Sequence, residues 1–259
     1  MTDQELTQMG RAQVILRTRN GSPCIEKHNV SHVEMCFYQD IAPQMQLLGI
    51  QTPKVYHCDA HTRQLHLEYI PHSMSLEALN ADKETFRQLA AIHHYSIPAQ
   101  QPVRLHQWTI QQTEHALKHL QLPSAAGQQL CQLQSKSSDL FLPIACLSGD
   151  SNTGNWGRRD QGELVLFDWE RFGRGSPAID LAPLVKGMGT VEDYQAIARR
   201  YLAYSTLMPE DQLVRQIILA KAWIVVEVVN LLKDRKKASA EQYLSWFRQV
   251  IPDWLNLAA

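Results

Sequence analysis

The spacing of apolar residues changes at Pro71, and that change constrains the fold more than any other feature of the chain. Before it the runs are short and strand-like. AQVILRTRN and SPCIEKH flank an Asn20-Gly21 turn, a pair suited to a two-residue hairpin because both central positions take positive φ. Ser31 with Glu34 reads as the start of a helix, and Val33, Phe37, Ile41, Met45 and Leu48 then recur at helical spacing up to Gly49. KVYHCDA and QLHLEYI predict a second hairpin ending at Pro71. The order is strand, strand, helix, strand, strand.

Beyond Pro71 the segments lengthen and take the 3.6-residue period: 75–80, 82–95, 108–122, 126–133, 192–207, 211–233 and 240–250 all read as helices. One stretch breaks that pattern. Between Leu142 and Phe167, IACLSGD, NWGRR and ELVLFDW read as short strands joined by turns, and an irregular insert within helical sequence is a natural place for a site. The pattern predicts two lobes, a strand-rich one over residues 1–70 and a mainly helical one over 71–259, with a hinge at 68–72.

Composition narrows the function by exclusion. The 25 Lys and Arg balance 26 Asp and Glu, so no basic field is present to hold a nucleic acid backbone. The residues from Met1 to Arg11 carry two acids and no apolar core of a secretory signal, and the apolar run from Ile217 to Leu232 is broken by Lys221, Glu227 and Asn230. Five cysteines stand singly without a C-x-x-C pair, which suits reduced thiols in a cytoplasmic protein. These features predict a protein that binds neither nucleic acid nor membrane, and they leave its oligomeric state open.

The chemistry concentrates in SGDSNTGN at 148–155, followed thirteen residues after Asn155 by Asp168-Trp169-Glu170. Phosphoryl transfer calls for a carboxylate that orients the acceptor hydroxyl and takes its proton, and for carboxylate or amide oxygens that hold magnesium against the phosphates. Asp150, Asn155 and Asp168 are of those types, and Glu170 is near enough in sequence to join them. Taken as a pair, Asp150 and Asn155 are equally well explained as turn residues.

With VLFDWERFGRGSPAIDLA added, the sequence resembles the aminoglycoside phosphotransferase and choline kinase superfamily, whose pattern is H-G-D-x-x-x-x-N followed by I-D-W-E-x-x-x-x-G-x-P-x-x-D-L-A. The resemblance covers roughly residues 20 to 185. It implies a protein-kinase-like α+β fold, and ATP- and magnesium-dependent transfer of the γ-phosphoryl group to a hydroxyl of a small molecule. By the same resemblance Asp150 is the catalytic base, while Asn155 and Asp168, with Glu170, are magnesium ligands. Asp180 braces the catalytic segment, Lys27 meets the phosphates with Glu34 as its ion-pair partner, and the backbone around Glu68 and Ile70 takes the adenine. LAAIHHY at 89–95 resembles the helix that precedes the catalytic loop.

Two departures stand out. Position 148 is Ser where the family has His, and only Gly10 is available upstream for a phosphate-covering turn. Both prompt an alternative reading, a catalytically silent nucleotide-binding or interaction module of the same fold. Among the remaining candidates, His57, Cys58 and His61 lack a fourth metal ligand, and His115 with His119 reads as a solvated helix face. His93 and His94 read as core histidines, and Trp223, with Tyr243 and Trp246, as packing rather than a wall for a cationic acceptor. Lys233 with the basic residues at 235–237 reads as a solvated loop.

Overall fold

A computed structural model describes residues 4–5, 12–19, 21–234 and 240–258. Asn20, Gly10 and the basic residues at 235–237 lie outside the described residues. The chain divides into two compact units, residues 1–105 with 145–174, and residues 106–144 with 175–259. Together they give an α+β architecture, antiparallel strands early and helices late.

The first unit is built on a five-stranded antiparallel sheet, from β1 (Gln4–Glu5), β2 (Gln13–Arg19), β3 (Ser22–His28), β4 (Val55–Asp59) and β5 (Gln64–Glu68), in the order β1-β2-β3-β5-β4. Both predicted hairpins form. Gly21 takes φ +80 at the first turn, and Lys27 pairs with Val14 on one side and Leu65 on the other. Side chains alternate across a strand, so this register puts Lys27, Leu65 and Leu67 among the buried residues and leaves Glu26, His28 and His66 on the wetter face.

The predicted helix after Ser31 forms with a break. Helix α1 (His32–Cys36) runs into a wide turn at Phe37–Ile41 before α2 (Ala42–Leu47), which ends at Gly49 with φ +79. Pro43 is the cause: it has no N–H and its ring crowds the carbonyl four residues back, so the chain widens and the Ala42 N–H reaches back five residues to Phe37. Ser31 caps the helix by accepting from the Glu34 N–H at 3.1 Å. The reciprocal half of the capping box is missing, because the Glu34 side chain is used elsewhere.

After β6 (His72–Ser73) come α3 (Leu76–Ala81) and α4 (Lys83–His93), each capped by a side chain at its predicted start, Ser75 and Asp82. His93 is buried as expected, while His94, past the last turn, is exposed. The insert folds as β7 (Ala145–Leu147), β8 (Trp156–Arg158) and β9 (Leu164–Leu166), with β8 paired between β6 and β9.

The second unit is helical: α5 (Ile110–Leu120), α6 (Ser124–Ser135), the short α7 (Ala178–Leu181), α8 (Val191–Leu202), α9 (Glu210–Asp234) and α10 (Ala240–Ala258). Leu213, Ile217, Ala220, Trp223 and Val226 form the buried stripe of α9 at the expected spacing. Trp223 is core, its indole N–H donating to the Gln107 carbonyl, whereas Tyr243 and Trp246 on α10 are exposed. The expected end of the last helix at residue 250 is too early: α10 continues through Pro252, since buried Leu244, Ile251, Trp254 and Leu255 hold its face. His115 is not simply solvated, because its Nδ1 lies 3.0 Å from Asn230 Oδ1. Among the described residues no helix is long and apolar enough to cross a membrane.

Candidate active site

In the first unit two acids of the predicted site, Glu34 and Asp168, meet at one amine. Lys27 on β3 is 6% exposed, and its Nζ donates to Glu34 Oε1 at 2.6 Å and to Asp168 Oδ1 at 2.8 Å. Burial works against the ammonium, but these two carboxylates outweigh it and hold the Lys27 pKa above the ordinary range. Glu34 is fully buried and burial lifts its pKa, with Lys27 opposing; its second oxygen has no hydrogen-bond partner. Phe37 and Trp169 explain why residues 141 positions apart meet: their rings stack at 4.0 Å between centroids and 11° between planes, and Phe172 packs against both. The helix that carries Glu34 is thereby fastened to the loop that carries Asp168. Burying three such rings contributes roughly 1.5–3 kcal/mol each.

Asp168 takes φ +65, a left-handed conformation that costs an Asp less than most residues but is still strained. The strain sets the carboxylate at Lys27 while the next residue, Trp169, enters the core with its N–H on the Leu166 carbonyl. Glu170 follows, and among the described residues it makes no ion pair. The guanidinium groups of Arg171 and Arg174 donate to the carbonyls of Gly149 and of Ile97 and Pro98, and Arg171 acts on Glu170 through its charge. Burial, then the Asp168 charge, raise the Glu170 pKa.

Asp150 stands at the head of a loop closed by local hydrogen bonds. Asn152 donates from Nδ2 to Asp150 Oδ1 at 2.6 Å and accepts at Oδ1 from the Gly154 N–H at 2.8 Å, starting the tight turn Thr153–Asn155. Asn155 donates from Nδ2 to the Asp150 carbonyl at 2.8 Å and accepts through its own carbonyl from the Phe167 N–H at 2.9 Å. The Asn155 amide oxygen has no hydrogen bond among the described residues. Loop 150–155 and the strand leading to Asp168 are therefore joined at Asn155. Burial raises the Asp150 pKa, Arg171 and Asn152 counter it, and Asp168 adds to it.

The acids outnumber the cations. Glu34, Asp150, Asp168 and Glu170 act electrostatically on one another, with Lys27 and Arg171 as the cations that act on them. No group of three or more His, Cys, Asp or Glu side chains among the described residues is arranged to hold a metal ion unaided. Magnesium does not require such a cage: it keeps waters and takes phosphate oxygens, with one or two carboxylates from protein. An excess of negative charge, an Asn155 amide oxygen without a hydrogen bond among the described residues, and the Glu170 carboxylate, on which Lys27 and Arg171 act only through their charge, suit that kind of ion.

The segment at 68–72 is fixed from behind. Arg159 forks onto both oxygens of Glu68 at 2.8 Å each, and also reaches Gln51 Oε1 and the Thr52 carbonyl. The Glu68 side chain is thus engaged in an ion pair beside a cavity of about 610 Å³ whose lining includes Lys54, Tyr69 and Arg159, and its backbone N–H donates to the Lys54 carbonyl at 2.8 Å. Ile70 sits against Gly157, where an added Cβ would come within 2.7 Å of it. Sequence reasoning missed Arg159, as it missed the roles of Arg171 and Asn152; each acts through a contact that has no local pattern. Asp180 is fully buried in α7 of the second unit.

No family model and no curated protein matches the sequence. Solved structures do. A choline/ethanolamine kinase family protein from Mesorhizobium loti aligns at TM-score 0.66 and 18% identity, covering 98% of this chain and 88% of that one. A macrolide 2′-phosphotransferase from Brachybacterium faecium aligns at TM-score 0.66 and 11% identity over 94% and 90%. A spectinomycin phosphotransferase, solved with ADP and spectinomycin, aligns at TM-score 0.64 and 13% identity over 100% and 93%. At these identities the likeness concerns the fold: over nearly its whole length, this chain is folded as the choline kinases and the antibiotic phosphotransferases are.

Proposed function

We propose that the protein is a small-molecule kinase, transferring the γ-phosphoryl group of ATP to a hydroxyl of a small acceptor with magnesium. The observation that carries this reading is the double hydrogen bond of buried Lys27 to Glu34 and Asp168, beside the Asp150–Asn155 loop. In this reading residues 1–70 form the nucleotide-binding lobe, and residues 71–259 the catalytic and acceptor-binding lobe of a cytoplasmic enzyme. Its partner is a small hydroxyl compound, not a nucleic acid or a membrane. The ADP bound to the spectinomycin phosphotransferase supports a nucleotide as donor.

Lys27, held by Glu34, meets the phosphates as a fixed cation. The backbone from Glu68 to Ile70 takes the adenine, its path set by Arg159 and Gly157. Asn155, Asp168 and Glu170 would hold magnesium, which when bound neutralises charge that develops on the phosphate oxygens. Asp150 accepts the proton of the acceptor hydroxyl and aligns its oxygen; burial raises its proton affinity toward that task.

Ser148 in place of His favours one second reading, a silent nucleotide-binding module. The two separate cleanly. Calorimetry with ATP and magnesium is followed by measuring ADP release against aminoglycoside, choline, ethanolamine, thiamine and sugar acceptors. Turnover that Asp150→Asn lowers by at least ~10²-fold supports the kinase. Binding with no ADP release on any acceptor, or turnover untouched by Asp150→Asn, refutes the assigned mechanism.

A further inference from the structure

The residue before the proposed base is held from two directions by one residue of the other loop. Gly149 takes φ +79, and a Cβ added there would lie 2.2 Å from the Arg171 carbonyl oxygen and 2.9 Å from Arg171 Cβ. Backbone is packed on backbone with no room for a side chain. The Arg171 side chain then folds back, and its Nε donates to the Gly149 carbonyl at 3.0 Å. On the far side of Asp150, Asn152 holds Oδ1 from within the loop at 2.6 Å.

We infer that Arg171 is the positioning residue of the Asp150 loop, bracing it from the Asp168 side through backbone packing on Gly149 and a side-chain hydrogen bond to the Gly149 carbonyl. The inference rests on the phosphotransfer reading for its catalytic consequence, but the bracing itself does not. A guanidinium suits the task for a physical reason. Its donor direction is set by a rigid plane, so one hydrogen bond to a carbonyl fixes an orientation as well as a distance. The reaction demands orientation, since a misplacement of about 1 Å costs on the order of 10²-fold in rate. The same residue ties the metal-side loop to the base-side loop, so the two move together.

The test uses the full-length protein, with ATP, magnesium and water as the acceptor, reading ADP release. Arg171→Met is expected to lower kcat by about 10–100-fold, with the KM for ATP within about twofold of the unmodified protein, as positioning of Asp150 and not nucleotide binding is lost. Arg171→Lys keeps the cation without the planar donor and is expected to stay close to Arg171→Met. Unchanged kcat in Arg171→Met, full recovery by lysine, or parallel loss of kcat and ATP affinity overturns the assignment. Hydrogen exchange at the Gly154 and Asn155 amides, whose bonds close the loop, gives a readout free of activity. Arg171→Met should speed exchange there at least about tenfold while β2 and β3 stay protected. If the unmodified protein releases no ADP with water, the exchange rates alone decide the bracing, and the kinase reading is decided separately on the acceptor panel: equal exchange rates in both proteins refute the bracing.

Discussion

Lys27 in the first unit and Lys221 in the second are 6% and 8% exposed, near equals in burial, yet their surroundings share nothing. Lys27 donates to two carboxylates. Lys221 donates to two backbone carbonyls, Ala182 at 2.9 Å and Val185 at 2.7 Å, at the end of the turn that follows α7. The consequences are opposite in sign. Counter-charge keeps Lys27 protonated against burial, whereas burial alone governs Lys221 and lowers its pKa to about 8. Carbonyl dipoles satisfy an amine's hydrogen bonds but do not balance its charge. A buried lysine with carboxylates is therefore a fixed cation available to phosphates, and one with carbonyls is a strut.

The sharpest way to break this comparison is to remove each amine. Lys27→Met strands Glu34 in a fully buried position, and unfolding in urea at pH 8 should show a loss of about 3–5 kcal/mol. ATP binding measured by calorimetry should vanish with it. The loss should be smaller at pH 5, where Glu34 takes up a proton in place of its missing partner. Equal losses at both pH values would mean that Lys27 acts by packing.

Asp150 extends the contrast to a half-buried acid with incomplete compensation. Its pKa is raised, so the folded protein binds that proton more tightly than the unfolded chain does, and stability falls as pH rises through and above the usual Asp range. Asp150→Asn, which can still accept from Asn152, should therefore melt at a higher temperature than the unmodified protein at pH 7 in the absence of metal. That gain should close toward pH 4. Lost activity together with gained stability is the signature of a charge placed for chemistry.

Smaller effects separate the two lysines by pH. Between pH 8 and 9.5 the Lys221 amine is neutral in the folded protein and charged in the unfolded chain, so stability relative to Lys221→Met should rise by about 1–2 kcal/mol. Over the same interval the advantage over Lys27→Met should stay flat, because a raised lysine pKa keeps its contribution until pH exceeds the unfolded value. At pH 7 Lys221→Met should change stability by less than about 1 kcal/mol, since the carbonyl it leaves unpaired is offset by relief of the buried charge.

Much of this molecule was legible in the sequence because the signals were local. Gly21 and Gly49 marked turns that take positive φ, Ser31 capped the helix it was expected to cap, and Ser75 and Asp82 stand at the expected starts of theirs. The closeness of Asn155 to Asp150 was legible because a tight loop leaves few places for their groups. The wide turn before Pro43 was foreseeable in principle, as a proline inside a helical period always displaces a hydrogen bond. The length of α10 was not, because burial along one face outweighed Pro252.

By itself the sequence determined which segments are strands and helices, and which residue types are available for chemistry, since both follow from periodicity, capping and side-chain identity within a few residues. Tertiary structure alone decided what each charge faces. Lys27 found Asp168 141 residues away, Arg159 took the Glu68 side chain 91 residues away, Arg171 reached Gly149 across two loops, and Lys221 met carbonyls and no acid. A charged side chain reads the same in any sequence, but its pKa, its geometry and hence its role depend on the dielectric and the partners that folding brings within a few ångströms.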